Sequence, residues 1–118
     1  MTSPTLLLIH GLGATSGVWA DLLNELEWPG RVINADLPGH GAAPPHKDYS
    51  VGAMAVAVGG QCESAEPVIA VGHSLGGAVA LCLASGFFRP AVTAAIGIGI
   101  KLAWTDADVK AMAKVADK

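Results

Sequence analysis

Val68-Ile69-Ala70-Val71-Gly72-His73-Ser74-Leu75-Gly76-Gly77 is the stretch on which the reading of this chain turns. A short, mostly β-branched apolar run enters a G-x-S-x-G pentapeptide, and a run of small residues, Ala78 to Ser85, follows it. Strand, tight turn and helix in that order are the setting in which G-x-S-x-G places a serine nucleophile on an exposed elbow. Gly72 and Gly76 have a steric purpose there, because a sharp turn drives neighbouring backbone together and leaves no room for a Cβ. The turn would raise the Ser74 hydroxyl above the sheet. It would also aim the Leu75 amide, at a helix N-terminus, toward any oxyanion formed beside it. The competing reading is a glycine-rich strand-to-helix turn whose serine is incidental.

Working outward, the same alternation recurs. Thr5 to Ile9 is a continuous apolar run of the kind a strand buried on both faces needs, and it stops at His10-Gly11. Ser16 is the expected N-cap of a first helix, with Val18, Trp19, Leu22, Leu23 and Leu26 on one face and Pro29-Gly30 at its end. Arg31 to Ala35 reads as a second strand that delivers Asp36 into the loop Leu37-Pro38-Gly39-His40-Gly41. Pro44-Pro45 keeps the next stretch in loop, and Tyr49 to Cys62 reads as a glycine-weakened helix. After the third strand and the elbow, a helix is expected to run to about Phe88. Ala91 to Ile100 reads as a fourth strand, and Thr105 as the cap of an amphipathic stretch, Asp106 to Lys118. Strands alternating with helices predict an α/β fold with a doubly wound, mainly parallel sheet. Such sheets bind ligands in the loops leaving the carboxyl ends of their strands. His10 to Leu12, Asp36 to Gly41 and Ser74 all fall on that edge.

Composition excludes several classes. A chain of 118 residues holds one domain at most, and with 52% hydrophobic and 14% charged residues it can build a core. A net charge of −3 without basic clustering argues against a nucleic-acid partner. Cys62 and Cys82 form no C-x-x-C and read as reduced residues of core or helix. The uncharged window Val68 to Phe88 would satisfy a membrane scan, but His73, Ser74 and the glycines mark a buried strand, turn and helix instead. No membrane partner is expected, and with no signal peptide at the start the expected location is the cytoplasm. The four histidines lie in unrelated loops and make no H-E-x-x-H pattern, so no metal and no cofactor is expected.

The loop His10-Gly11-Leu12-Gly13 supports two readings. With Gly17 and the acid Asp36 it imitates a dinucleotide fingerprint, although its spacing departs from G-x-G-x-x-G and Asp36 runs into Pro-Gly-His-Gly. Alternatively it is an oxyanion loop whose Leu12 amide opposes that of Leu75. One such donor can be worth about 3–4 kcal/mol of transition-state stabilisation.

Three ordered motifs, His10-Gly11 after a strand, Asp36-Leu37-Pro38-Gly39-His40-Gly41, and Gly72-His73-Ser74-Leu75-Gly76-Gly77, together resemble the α/β-hydrolase superfamily, in its esterase and C–C hydrolase branch. The resemblance runs from about Thr5 to Ile100. It implies that Ser74 is the nucleophile and that the Leu12 and Leu75 amides form the oxyanion hole. It also implies that His10, Gly11, Gly72, His73 and Gly76 shape the two loops, while Asp36 to Gly41 is architectural. Many relatives carry Ser or Thr where this chain has Ala43. A serine at the elbow implies acyl chemistry on an ester, thioester or activated carbonyl, and the scarcity of nearby charge favours a small, mainly apolar substrate.

A serine nucleophile needs a base, and the family order is Ser, then Asp or Glu, then His. No histidine follows Ser74 in these 118 residues; the four stand at 10, 40, 46 and 73. His40 lies at the correct edge to be considered as base, against a role within its own glycine loop. Asp106 and Asp108 stand where some relatives place the triad acid, against a role as acids in the first turn of the last helix. The expectation is therefore a partial α/β-hydrolase core, residues 1–118, truncated after the strand that follows the nucleophile helix, with the start of a cap segment at about 103–118. By the same resemblance, two further strands and a helix would cover the apolar edge at Ala91 to Ile100. A non-catalytic binding module of the same fold and a nucleotide-binding domain are the alternatives.

Overall fold

The computed structural model describes residues 3–62, 67–86, 91–100, 106, 107 and 110. Four strands, β1 (Thr5–Ile9), β2 (Val32–Ala35), β3 (Val68–His73) and β4 (Val92–Ile98), form one parallel sheet in the order β2-β1-β3-β4. The helices are α1 (Ala20–Glu25), entered through a 3-10 turn at Ser16–Trp19, α2 (Val51–Gly60) and α3 (Leu75–Leu83). This is the expected doubly wound arrangement.

Alternation along β1 decides which helix covers which face. Leu7 and Ile9 face a cluster with Met54, Val58 and Val79, contributed by α2 and α3. Leu6 and Leu8 face Trp19 and Leu23 on the other side. Both faces of the central strand are covered, so all five of its residues are buried. Right-handed crossovers put a helix on one face when the chain steps one way along the sheet and on the opposite face when it steps the other. Steps from β1 out to β2 and from β3 out to β4 run in opposite directions, so the chain diverges between β1 and β3. That divergence is the crevice in which open α/β sheets hold ligands.

Several boundaries differ from the sequence reading. Thr15, not Ser16, caps the first helical turn, its Oγ1 accepting the Gly17 N–H at 3.2 Å, while the Ser16 N–H goes to Asp36. Of the expected core face of α1, Trp19 is buried and Leu23 is partly so, but Val18, Leu22 and Leu26 are exposed. Six residues of α-helix are too few to lay all five side chains on the sheet. Strand β3 continues through Gly72 and His73 because they pair with Gly97 and Ile98. Helix α3 stops at Leu83 rather than near Phe88, with Gly86 at φ 91° shortly beyond its end. Phe87 and Phe88 lie outside the described residues. Strand β4 is an edge with Ile96 and Ile98 exposed.

Cys62 and Cys82 are both free thiols; burial pushes the Cys62 thiol up to about 11, and it donates to the Val58 carbonyl. Among the described residues no helix is long and apolar enough to cross a membrane.

Candidate active site

Parallel register brings the three motif loops to one edge. Ile9 pairs with Ala35 on one side and with Gly72 on the other, and Gly72 pairs with Gly97. One residue further on, His10 and Asp36 leave the sheet beside His73, the last residue of β3.

Ser74 is the only described non-glycine residue with positive φ, at φ 55° and ψ −116°. That is the conformation of the first central residue of a type II′ turn, a position glycine normally fills. The strain is held from both sides. The Ser74 N–H donates to the Ile98 carbonyl at 2.8 Å, and its own carbonyl accepts the Gly77 and Ala78 amides at the start of α3. A Cβ at Gly72 would overlap the backbone of Gly76 and Gly77, and one at Gly76 would overlap the carbonyls of Ile9 and His10. The two glycines let α3 begin hard against the ends of β3 and β1. Ser74 itself is half-buried and reachable.

The loop after β1 lies against this turn. A Cβ placed on Gly11 would stand 3.3 Å from the Ser74 Cβ and 3.2 Å from the His73 carbonyl. Leu12 follows Gly11, and Leu75 is the first residue of α3. Among the described residues neither amide is spent on a hydrogen bond; that of Leu75 is one of the first N–H groups of a helix, which have no intrahelical partner. Two free N–H groups beside a reachable serine can accept a developing negative charge. A cavity of about 900 Å³ runs past them, lined by Leu12, Gly13, His40, Tyr49, Met54 and Leu75 among others; no Asp, Glu, Lys or Arg lines it.

The histidines and Asp36 brace the loops. His10 is fully buried; its Nδ1–H donates to the Gly11 carbonyl at 2.7 Å, and its Nε2 accepts the Leu37 N–H at 2.9 Å. Burial holds its pKa below the ordinary value, with His40 acting in the same direction and the Gly11 bond and Asp36 opposing. Asp36 is pushed up by partial burial, but the Ser16 and Ala42 amides and the Ser16 hydroxyl outweigh that and leave its carboxyl below the usual range.

The considered base, His40, has both ring nitrogens engaged: Nδ1–H to the Pro38 carbonyl at 2.9 Å and Nε2 from the Gly13 amide at 3.0 Å. To take a proton from serine it would first have to surrender Gly13. The His73 ring sits between Gly11 and Gly99. Asp106 is helical and exposed, and Asp108 lies outside the described residues. The sequence reading passed over Tyr49, whose hydroxyl accepts the His46 N–H at 3.0 Å and whose ring lies under Gly39. Its signal was being the single tyrosine, set beside a proline-rich loop.

The dinucleotide reading fails on donors. A pyrophosphate needs several free amides from the glycine loop, yet Gly13, Ser16 and Gly17 have given theirs to His40, Asp36 and Thr15, and the free Leu12 amide is one donor alone. The Asp36 carboxylate, offered as a ribose acceptor, is closed by Ser16 and Ala42.

Comparison with known proteins agrees with the geometry. A model described as the alpha/beta hydrolase family matches residues 6–117. The chain belongs to the α/β hydrolase family. It is 46% identical over 80 residues to a pimeloyl-(acyl-carrier protein) methyl ester esterase of Neisseria meningitidis, covering 66% of this chain and 24% of that protein. It is 39% identical over 85 residues to the magnesium-chelatase 30 kDa subunit of Rhodobacter capsulatus, covering 69% of this chain and 30% of that one. A solved structure of a marine microorganism esterase superposes with a TM-score of 0.82 at 28% identity, over 98% of this chain and 46% of its own. The 118 residues thus span about a quarter to a half of the length of these relatives.

Proposed function

We propose that the chain is the amino-terminal part of a serine hydrolase that acts on carboxylic esters or thioesters through an acyl-enzyme at Ser74. The observation that carries this reading is the strained Ser74 turn lying against the Gly11-Leu12 loop, with two unspent amides beside it. Backbone strain of this kind costs about 1–3 kcal/mol and persists where geometry is worth more than stability. The esterase relative and the solved esterase support the same chemistry by likeness.

In this reading Ser74 Oγ attacks the carbonyl carbon as a base removes its proton. Charge collects on the carbonyl oxygen, which takes hydrogen bonds from the Leu12 and Leu75 amides, and collapse expels the alcohol or thiol with a returned proton. Water then repeats the sequence on the acyl-serine. The base and its acid are proposed to come from sequence beyond residue 118, because no histidine follows Ser74 and His10 and His40 have both nitrogens committed. Asp106, exposed and helical, is then not the triad acid. The uncharged lining of the cavity favours a neutral, mainly apolar acyl group. The magnesium-chelatase name of the Rhodobacter relative advises against carrying one relative's substrate over.

A fluorophosphonate probe tests this. Label is expected on Ser74, in this chain or in a form extended past Lys118, and none on Ser74→Ala. Label on neither form would overturn the assignment and favour a non-catalytic module of the same fold.

A further inference from the structure

The loops after β1 and β2 are tied to each other twice, each time by a histidine of one accepting an amide of the other. His10, at the end of β1, accepts the Leu37 N–H, and His40, after β2, accepts the Gly13 N–H. The two ties run in opposite directions across the same separation of 27 residues, with the rings 5.1 Å apart. Each ring also donates through Nδ1 to a carbonyl of its own loop, Gly11 or Pro38. Those carbonyls can only accept, so both rings carry the proton on Nδ1 and offer Nε2 as a bare acceptor.

This arrangement holds only for neutral rings. A protonated imidazole has an N–H at Nε2, and it would face the Gly13 or Leu37 N–H donor to donor. The rings differ in access: His10 is fully buried, whereas His40 is half-buried beside the cavity. Beside the His40 ring lies His10 from the end of β1, and Tyr49, ahead of α2, lines the same cavity. Helices α2 and α3 present Val51, Met54 and Leu75, which carry no charge. The Asp36 carboxylate lies 3.8 Å from His10 Nε2 but is occupied by the Ser16 and Ala42 amides. Among the described residues no cluster of three His, Cys, Asp or Glu is placed to hold a metal, so the pair is not read as a metal site.

We propose that His40 is a positioning residue for the Leu12 amide: while neutral it fixes Gly13, the next residue, and on protonation it releases the loop. The consequence for catalysis rests on the serine-hydrolase reading, whereas the tie itself does not. Its effect falls on where an oxyanion donor points, and donors of this kind act only at the correct distance. Neutral His40 thus holds the oxyanion loop in place, and a protonated ring would leave it slack.

Amide NMR of this chain between about pH 5 and 8 separates the two claims, since histidine is the side chain that ordinarily titrates there. The Gly13 and Leu12 amides are expected to shift with the midpoint of the His40 ring, and to do so equally in Ser74→Ala. His40→Gln, an acceptor that does not titrate, should abolish the pH response of Gly13 while keeping its protection from hydrogen exchange. In His40→Ala that protection should fall by about tenfold or more. Phosphonylation of Ser74, in whichever form labels, should slow by about tenfold in His40→Ala and much less in His40→Gln. A Gly13 amide indifferent to the His40 midpoint would overturn the proposal, as would identical behaviour of the Gln and Ala variants. Should Ser74 fail to label while the amides still follow His40, the hydrolase reading falls and the tie stands.

Discussion

His10 shows how a single buried ring couples the site to the stability of the fold. Its pKa is lowered from 6.5 by burial, so the folded chain keeps the ring neutral at a pH where the unfolded chain protonates it. The unfolded state then binds more protons, and stability falls as pH drops below the unfolded value toward the folded one. Asp36, whose carboxyl is held below its ordinary 3.8 by the Ser16 and Ala42 amides, adds a loss of the same sign in stronger acid. Urea midpoints measured from about pH 7.5 down to 5.5 should therefore decline, and His10→Gln should flatten the decline. An unchanged slope would mean that His10 carries no part of it. At this scale the sequence said little. The motifs announced His10 and His40 as loop residues, but their ties span 27 positions, and no local pattern of apolar or polar residues encodes a bond of that range.

Elements were more legible than bonds, for a physical reason. Strands buried on both faces must be apolar throughout, so Thr5–Ile9 and Val68–Val71 stand out as runs, and parallel pairing follows from the helices between them. Helix limits were less legible because composition and capping compete. Ala78 to Phe88 is uniformly helix-compatible until Ser85-Gly86, and the chain obeyed the glycine. Thr15 and Ser16 are equally good caps by type; the Asp36 carboxylate, twenty residues away, claimed the Ser16 amide and left Thr15 to cap. Helix α2 formed despite its glycines because Ser50 caps it, accepting the Ala53 N–H at 3.2 Å, and because Met54, Ala55 and Val58 are buried. Nothing stands within 4 Å of a Cβ built on Gly52. Gly52→Ala should accordingly stabilise the chain by about 0.5–1 kcal/mol, read from the denaturation midpoint at unchanged slope. A loss of stability would show that α2 needs that glycine for something other than helix.

For the whole molecule, topology accounts for what this span contains. The divergence between β1 and β3 gathers the serine and both candidate oxyanion amides into one contiguous stretch of chain, ahead of the open edge at β4. That is why three motifs far apart in sequence could be read as one site. The burial of β1, the overlap that excludes a Cβ at Gly76 and the pairing of Gly72 with Gly97 all oppose relaxation of the elbow. The tension at φ 55° is therefore borne by the global folding equilibrium, not by a local adjustment. Glycine is at ease in that conformation and alanine is not, so Ser74→Gly should melt above Ser74→Ala, by about 1–3 kcal/mol of stability. Equal melting would mean that the turn is unstrained. A calorimeter can thus weigh what this chain gives up to hold one hydroxyl in place, with no substrate in the cell and no knowledge of which substrate it would be.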